Sequence, residues 1–183
     1  LVVFDQFAQS PYGLQVSAEA DGWRTHYVRN DAQMAMQAPS ENPSIRVESA
    51  AAGVEKRAVK ATWFRPARLT LASRPRATLT NYANGSLVLD LTVHGAPNAP
   101  VRVEMDCGDA CRAEIDVTRT LSLDVGTPRT LNIPLACFAA KGANLRRVVV
   151  PFALFTSEAF AVSIARVRVV DGAAADASAL RCD

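Results

Sequence analysis

The sequence predicts an all-β fold, a β-sandwich of the jelly-roll type. Apolar residues alternate with other residues in several short segments, as expected for strands that bury one face. Turn-forming residues separate these segments every ~8–12 residues, and no stretch longer than about 12 residues carries a helical stripe of apolar side chains. Many short strands with regularly spaced turns are typical of sandwiches and jelly rolls.

The clearest predicted strand covers residues 87–93, in which Leu or Val occupies every odd position. The same alternation continues at residues 101–106, 114–118, 130–135 and 162–169. Asn84-Gly85, just before the first of these strands, predicts a hairpin turn, and Asn84-Gly85-Ser86 also matches a glycosylation sequon. Residues 54–64 leave a strand and a short helix as open alternatives, because Ala and Lys favour a helix whereas Val59, Ala61 and Trp63 alternate.

Length and composition favour one globular domain. A chain of 183 residues with 49% hydrophobic residues is long enough to bury a sizeable core. We therefore expect a single β-sandwich over residues 1–183, with a loose, Ala-rich tail at about 172–183. The chain begins at Leu1 inside a strand-like segment, without Met or a charged leader, so we expect it to be part of a longer protein.

Charge and hydropathy exclude two classes of partner. The net charge is +2 and the basic residues are scattered, so the sequence predicts no nucleic-acid partner. No apolar run reaches the roughly 20 residues that a membrane-spanning helix needs, so we expect no membrane span.

The four cysteines, Cys107, Cys111, Cys137 and Cys182, allow two disulfides in three pairings. Cys107 and Cys111 are close enough in sequence to close a local loop, which would leave Cys137 to tie the C-terminus through Cys182. Buried free thiols and a zinc site are the alternatives. We favour oxidised cysteines and hence a periplasmic or secreted protein.

Catalytic motifs are missing from the sequence. It contains no nucleophile elbow, no zinc-protease motif and no phosphate-binding glycine loop. The histidines are His26 and His94, and nothing in the linear pattern pairs two carboxylates for glycoside hydrolysis. We therefore predict no catalytic residues and no required cofactor. The sequence allows a structural calcium, for which Asp5 and Asp171 are the candidate ligands, since terminal strands are often neighbours in a jelly roll.

Exposed aromatic side chains are the candidates for carbohydrate binding, because a pyranose ring stacks its C–H face on Trp or Tyr. The candidate residues are Tyr12, Trp23, Tyr27, Trp63 and Tyr82. The alternative for each of them is burial in the core, where large aromatic side chains are common.

Several motifs occur in an order that resembles a known module. They are Gly-Trp-Arg at 22–24, the segment ending in Trp63, Asp-Cys-Gly-Asp-Ala-Cys at 106–111, Ile-Asp-Val-Thr at 115–118, Leu-Asn-Ile-Pro-Leu-Ala-Cys-Phe at 131–138, Gly-Ala-Asn-Leu at 142–145 and Val-Pro-Phe at 150–152. From about Phe4 to Val170, the chain resembles the C-terminal galactose-binding-like domain of bacterial exo-glucanases and β-glucosidases of glycoside hydrolase family 3.

This resemblance implies that catalysis takes place in other domains of the same polypeptide. Enzymes of that family hydrolyse β-linked glucosides from the non-reducing end, with the catalytic Asp and Glu in preceding domains. The chain would then be an accessory domain whose partners are the catalytic domains of the same polypeptide and a β-glucan or oligosaccharide. The alternatives are a purely structural or protein-interaction sandwich, and an independent hydrolase.

Overall fold

A computed structural model describes residues 1–28, 42–51, 57–108 and 111–182. In these residues the chain forms two antiparallel sheets packed face to face, which confirms the predicted all-β sandwich. The strands, in chain order, are β1 Val2–Asp5, β2 Phe7–Ala8, β3 Tyr12–Ala18, β4 His26–Tyr27, β5 Ile45–Ala51, β6 Arg57–Trp63, β7 Ala67–Ser73, β8 Ser86–Val93, β9 Arg102–Asp106, β10 Arg112–Asp116, β11 Arg129–Pro134, β12 Val150–Thr156 and β13 Phe160–Val170.

The seven-stranded sheet is organised around β13, its longest strand. β8 pairs with β13 along one edge, whereas β6 and β1 share the other edge. A shift of register near Ala165 separates the part of β13 that faces β6 from the part that faces β1. β5 extends the sheet beyond β6, β2 extends it beyond β1, and β11 pairs with β8.

The six-stranded sheet has the order β10-β9-β12-β7-β3-β4. In β3 and β7 every second side chain is buried, which is the pattern of a strand with one face in the core. The buried faces of the two sheets meet in one hydrophobic cluster, in which each fully buried Leu or Phe contributes ~1.5–3 kcal/mol. The other face of the six-stranded sheet points away from this cluster.

The connections include two short helices, α1 Thr118–Leu121 and α2 Leu135–Ala140. The strand predicted at 130–135 is confirmed up to Pro134, where the chain turns into α2. Of the ambiguous segment 54–64, residues 57–63 form a strand, while residues 52–56 lie outside the described residues. Among the described residues no helix is long and apolar enough to cross a membrane.

The predicted hairpin turn at Asn84-Gly85 is wrong. The preceding strand β7 belongs to the six-stranded sheet and β8 to the seven-stranded sheet, so the chain crosses between sheets here. A 3₁₀ turn at Thr80–Tyr82 precedes Gly85, whose N–H donates to the Tyr82 carbonyl. Asn-Gly favours tight turns in general, and its presence does not specify which strands the turn joins.

Both disulfides follow the pairing proposed from the sequence, Cys107–Cys111 and Cys137–Cys182. Both lie at the same end of the sandwich, where β9 and β11 end and β12 begins. The segment after β13, predicted to be a loose tail, is held at several points. The Leu180 N–H donates to the Asn132 carbonyl, the Asn132 amide donates to the Ala173 carbonyl, and Cys182 is bonded to α2.

Gly85 lets the crossing segment lie close to the backbone of Val170, so a substitution at Gly85 tests this arrangement. A Cβ at this position would clash with the Val170 carbonyl oxygen. We predict that Gly85→Ala lowers the free energy of unfolding by roughly 3 kcal/mol, as measured by chemical denaturation. Gly95→Ala is the matched control, because a Cβ there meets nothing within 4 Å. Equal stability of the two variants would contradict this account of the crossing.

Candidate functional site

The outer face of the six-stranded sheet has a floor of small side chains. The alternation that buries Leu14 and Leu71 turns Gly13, Ala72 and Ala153 to the other side of the sheet. Gln15, Thr70, Ala153 and Glu104 follow one another across four paired strands. A space opens above Gly13, where a Cβ would meet nothing within 4 Å.

A loop at the end of β3 brings Trp23 onto this face. The chain makes a 3₁₀ turn at Glu19–Asp21, then Gly22 and Trp23 take left-handed conformations with φ of 69° and 62°. The backbone N–H of Trp23 donates to the Ala18 carbonyl over 2.8 Å. A left-handed tryptophan is uncommon, and such conformations gather at functional sites.

Three side chains form what we call the Trp23 cluster, namely Trp23, Arg68 and Phe155. The centroids of the two rings are 6.1 Å apart, and the ring planes meet at 50°. The guanidinium carbon of Arg68 lies 4.5 Å from the Trp23 ring centroid and 5.1 Å from that of Phe155. Trp23 is 37% exposed, and Tyr27, opposite Gln15 on the edge strand β4, is 69% exposed. The face therefore offers aromatic surface to solvent beside a floor of small side chains.

The charged side chains on this face form pairs of opposite charge. Arg68 Nε donates to Glu104 Oε2 over 2.7 Å, and Arg112 lies 3.0 Å from Asp106. Arg102 on β9, which is the cross-strand neighbour of Phe155, and Glu114 on the edge strand β10 form a further pair at 3.2 Å. These arginines therefore present little uncompensated positive charge.

Asp21 and His26 hold the loop that carries Trp23. The His26 Nε2 atom lies 2.6 Å from Asp21 Oδ2, and the Asn42 amide donates to the same oxygen over 3.3 Å. Desolvation alone would raise the pKa of Asp21. The hydrogen bond and charge of His26, together with the backbone N–H groups of Ala18 and Arg24, outweigh desolvation and hold this pKa below its ordinary value.

Two of the predicted sugar-binding residues are wrong, because they lie in the core. Trp63 is fully buried, donates its indole N–H to the Ala67 carbonyl over 2.9 Å and packs against Phe160. Tyr12 is also buried, which together with the neighbouring Tyr82 raises the pKa of its phenol. Tyr82 is partly buried against the core. Of the five candidates, Trp23 and Tyr27 are the large aromatic side chains that the fold leaves exposed.

The predicted calcium ligands do not meet. Asp5 pairs with Arg166 across β1 and β13, and their side chains form a salt bridge of 3.2 Å. Asp171 lies five positions beyond Arg166, which corresponds to a separation of roughly 15 Å along the strand. A single ion cannot bridge these carboxylates. In the described ranges, no three side chains of His, Cys, Asp or Glu gather as metal ligands.

The fold and the exposed aromatic face define a class of protein, the β-sandwich modules of galactose-binding type. The profile of the galactose-binding domain-like family matches residues 11–169, and the chain belongs to this family. The resemblance to the exo-glucanase domain is thereby confirmed. No curated protein matches the chain.

Solved structures agree with this family. The extra C-terminal domain of the exo-1,3/1,4-β-glucanase from a Pseudoalteromonas species superposes with a TM-score of 0.77 at 18% identity, covering 100% of this chain and 98% of that one. Against the crystal structure of that glucanase, with a TM-score of 0.76 and 18% identity, the match covers 100% of this chain and 22% of the glucanase chain. The chain therefore spans about a fifth of that enzyme's length.

A carbohydrate-binding module has the same fold. The family 30 module of a cellulosomal cellulase from Clostridium thermocellum superposes with a TM-score of 0.62 at 12% identity, covering 93% of this chain and 96% of that module. The extra C-terminal domain of the glucanase and this module thus share the fold of the family to which the chain belongs.

Arg68, Phe155 and Glu104 were not among the predicted site residues. A signal was present for Arg68 and Glu104, since each takes a polar position in an alternating segment and so faces away from the core. Phe155 lies in a nearly continuous apolar run, which gives no indication of its face.

The contact between Asp21 and His26 predicts how stability depends on pH. The pKa of Asp21 is lowered in the folded state, so its contribution is present above the ordinary value of about 4 and is lost as the pH falls through the folded value. We predict that the wild type melts at a higher temperature than Asp21→Asn at pH 5–7, and that the difference shrinks below about pH 4. Thermal unfolding followed by circular dichroism measures it.

The control is Asp171→Asn, which removes an exposed carboxylate that has no ion pair within the described part of the chain. If both variants followed the same curve of melting temperature against pH, the Asp21–His26 contact would not contribute to stability.

Proposed function

We propose that this chain is the non-catalytic, carbohydrate-binding accessory domain of a secreted or periplasmic β-glucosidase or exo-glucanase, and that it binds β-glucan on the outer face of the six-stranded sheet. One observation carries the proposal: Trp23, 37% exposed, packs on Arg68 and Phe155 and leaves indole surface open to solvent on the outer face of the sheet. An exposed indole supported from behind by Arg68 and Phe155 is a stacking surface for a pyranose ring.

The surroundings of Trp23 suit a polar, uncharged ligand. Gln15, Ser17 and Thr70 lie on the same face and supply amide and hydroxyl groups for sugar hydroxyls. The arginines described above are paired with carboxylates, so an anionic chain would gain little from them. Tyr27, at the sheet edge, adds a second aromatic surface along the path of an extended chain.

The comparisons support this function without extending to a particular sugar. The family 30 module is called carbohydrate-binding, and it shares the fold at 12% identity. The domain that matches over 98% of its own length belongs to a glucanase that acts on 1,3- and 1,4-β-linkages. We carry both properties to this chain as proposals, with the catalytic domains of the same polypeptide as its partners.

The two disulfides support a location outside the cytoplasm, because such bonds persist in oxidising compartments.

Affinity electrophoresis in gels that contain a soluble mixed-linkage β-1,3/1,4-glucan tests the function. We expect the glucan to retard the wild type, and Trp23→Ala to weaken binding at least about tenfold, as a loss of ~1.4 kcal/mol requires. Phe64→Ala is the matched control, since Phe64 is an exposed aromatic residue that lies outside the Trp23 cluster. Its affinity should equal that of the wild type.

Two outcomes would contradict the proposal. Unchanged mobility of the wild type on mixed-linkage and on β-1,3-glucan gels would leave a structural or protein-interaction role. Turnover of aryl β-glucosides by this chain alone would make it an enzyme.

A further inference from the structure

The Trp23 indole has few fixed contacts of its own. It stands on a loop outside the paired strands, and its indole N–H donates no hydrogen bond to any residue that the structure describes. Its ring lies against Arg68 at 4.5 Å and Phe155 at 6.1 Å. Arg68 is thus placed to fix the orientation of the ring, because the planar, positively charged guanidinium group stacks on an aromatic face.

Arg68 is in turn fixed by Glu104. The Arg68 Nε–H donates to Glu104 Oε2 over 2.7 Å, and the Glu104 side chain is 2% exposed. Charge-assisted hydrogen bonds of this length are among the strong ones. Glu104 stands two strands away from Arg68, with β12 between them, so the arginine side chain reaches across β12 to meet it.

Glu104 has little other compensation for its buried charge. Its second oxygen, Oε1, is buried and has no hydrogen-bond partner in the described residues, and Arg112 approaches Oε2 at 3.9 Å. Removing Arg68 would leave a buried carboxylate poorly paired, which is strongly unfavourable. The carboxylate therefore holds Arg68 in one place, although it is too buried to contact a ligand itself.

We propose that the Arg68–Glu104 ion pair is the positioning element of the glucan site, and that it determines affinity by holding the Trp23 ring in its stacking orientation. This inference rests on the proposed function. It makes Glu104 a positioning residue, which acts on the ligand through Arg68 and Trp23.

Tryptophan fluorescence gives a direct readout. The chain has two tryptophans, and Trp63 is fully buried, so quenching by acrylamide reports on Trp23. In Glu104→Gln we expect acrylamide to quench the fluorescence more efficiently and the mixed-linkage glucan to bind roughly three- to thirtyfold more weakly.

Glu48→Gln is the matched control. It makes the same change at a partly exposed carboxylate that pairs with Arg46 and Lys60 on the other, seven-stranded sheet. Quenching and affinity should both stay at wild-type values. A folded Glu104→Gln that keeps wild-type quenching and affinity would overturn the proposal.

Arg68→Lys covers the case in which Glu104→Gln fails to fold. Lysine keeps a cation beside Glu104 but lacks the flat guanidinium, so we expect a folded protein with increased quenching and weakened binding. Wild-type quenching and binding in this variant would overturn the inference.

The two proposals fail in different ways. If Trp23→Ala binds glucan as the wild type does, the proposed function fails whatever the quenching shows. If Trp23→Ala loses binding but Arg68→Lys and Glu104→Gln keep it, the positioning inference alone fails.

Discussion

The alternation of side chains along β3, β7 and β12 is the constraint on which both the core and the candidate site depend. Successive residues of a strand point to opposite faces, so the register that buries Leu69 and Leu71 also places Arg68 and Thr70 outside. A slip of one residue would exchange the two sets and destroy both together. The outer face is therefore fixed by the same hydrophobic burial that stabilises the sandwich.

The same alternation explains which part of the site could be predicted from the sequence. Strand segments were recognisable, and Trp63 and Tyr12 each continue an alternating apolar series, with Val59 and Ala61 or with Leu14 and Val16. Their burial was therefore indicated by their neighbours, because an aromatic side chain in phase with a buried apolar series faces the core. Trp23 has no such series around it, which agrees with its exposure.

The contacts within the Trp23 cluster could not be predicted in the same way. Arg68 and Glu104 are 36 residues apart in the chain, and they meet because β12, a strand from much later in the sequence, lies between β7 and β9. Strand order depends on how distant segments pair, and periodicity within one segment carries no information about it. The crossing at Gly85 was mispredicted for this reason, since its turn chemistry was recognised but its partner strands were not.

The position of the two disulfides has a consequence for how this module can change. Both covalent links lie at one end of the sandwich, and the loop that presents Trp23 leaves β3 at the other end. Substitutions in that loop alter neither the cross-linked end nor the buried rows of the sheets. One end of the molecule is thus covalently cross-linked, while exposed positions at the other end, such as Trp23, can change their ligand contacts without altering the core.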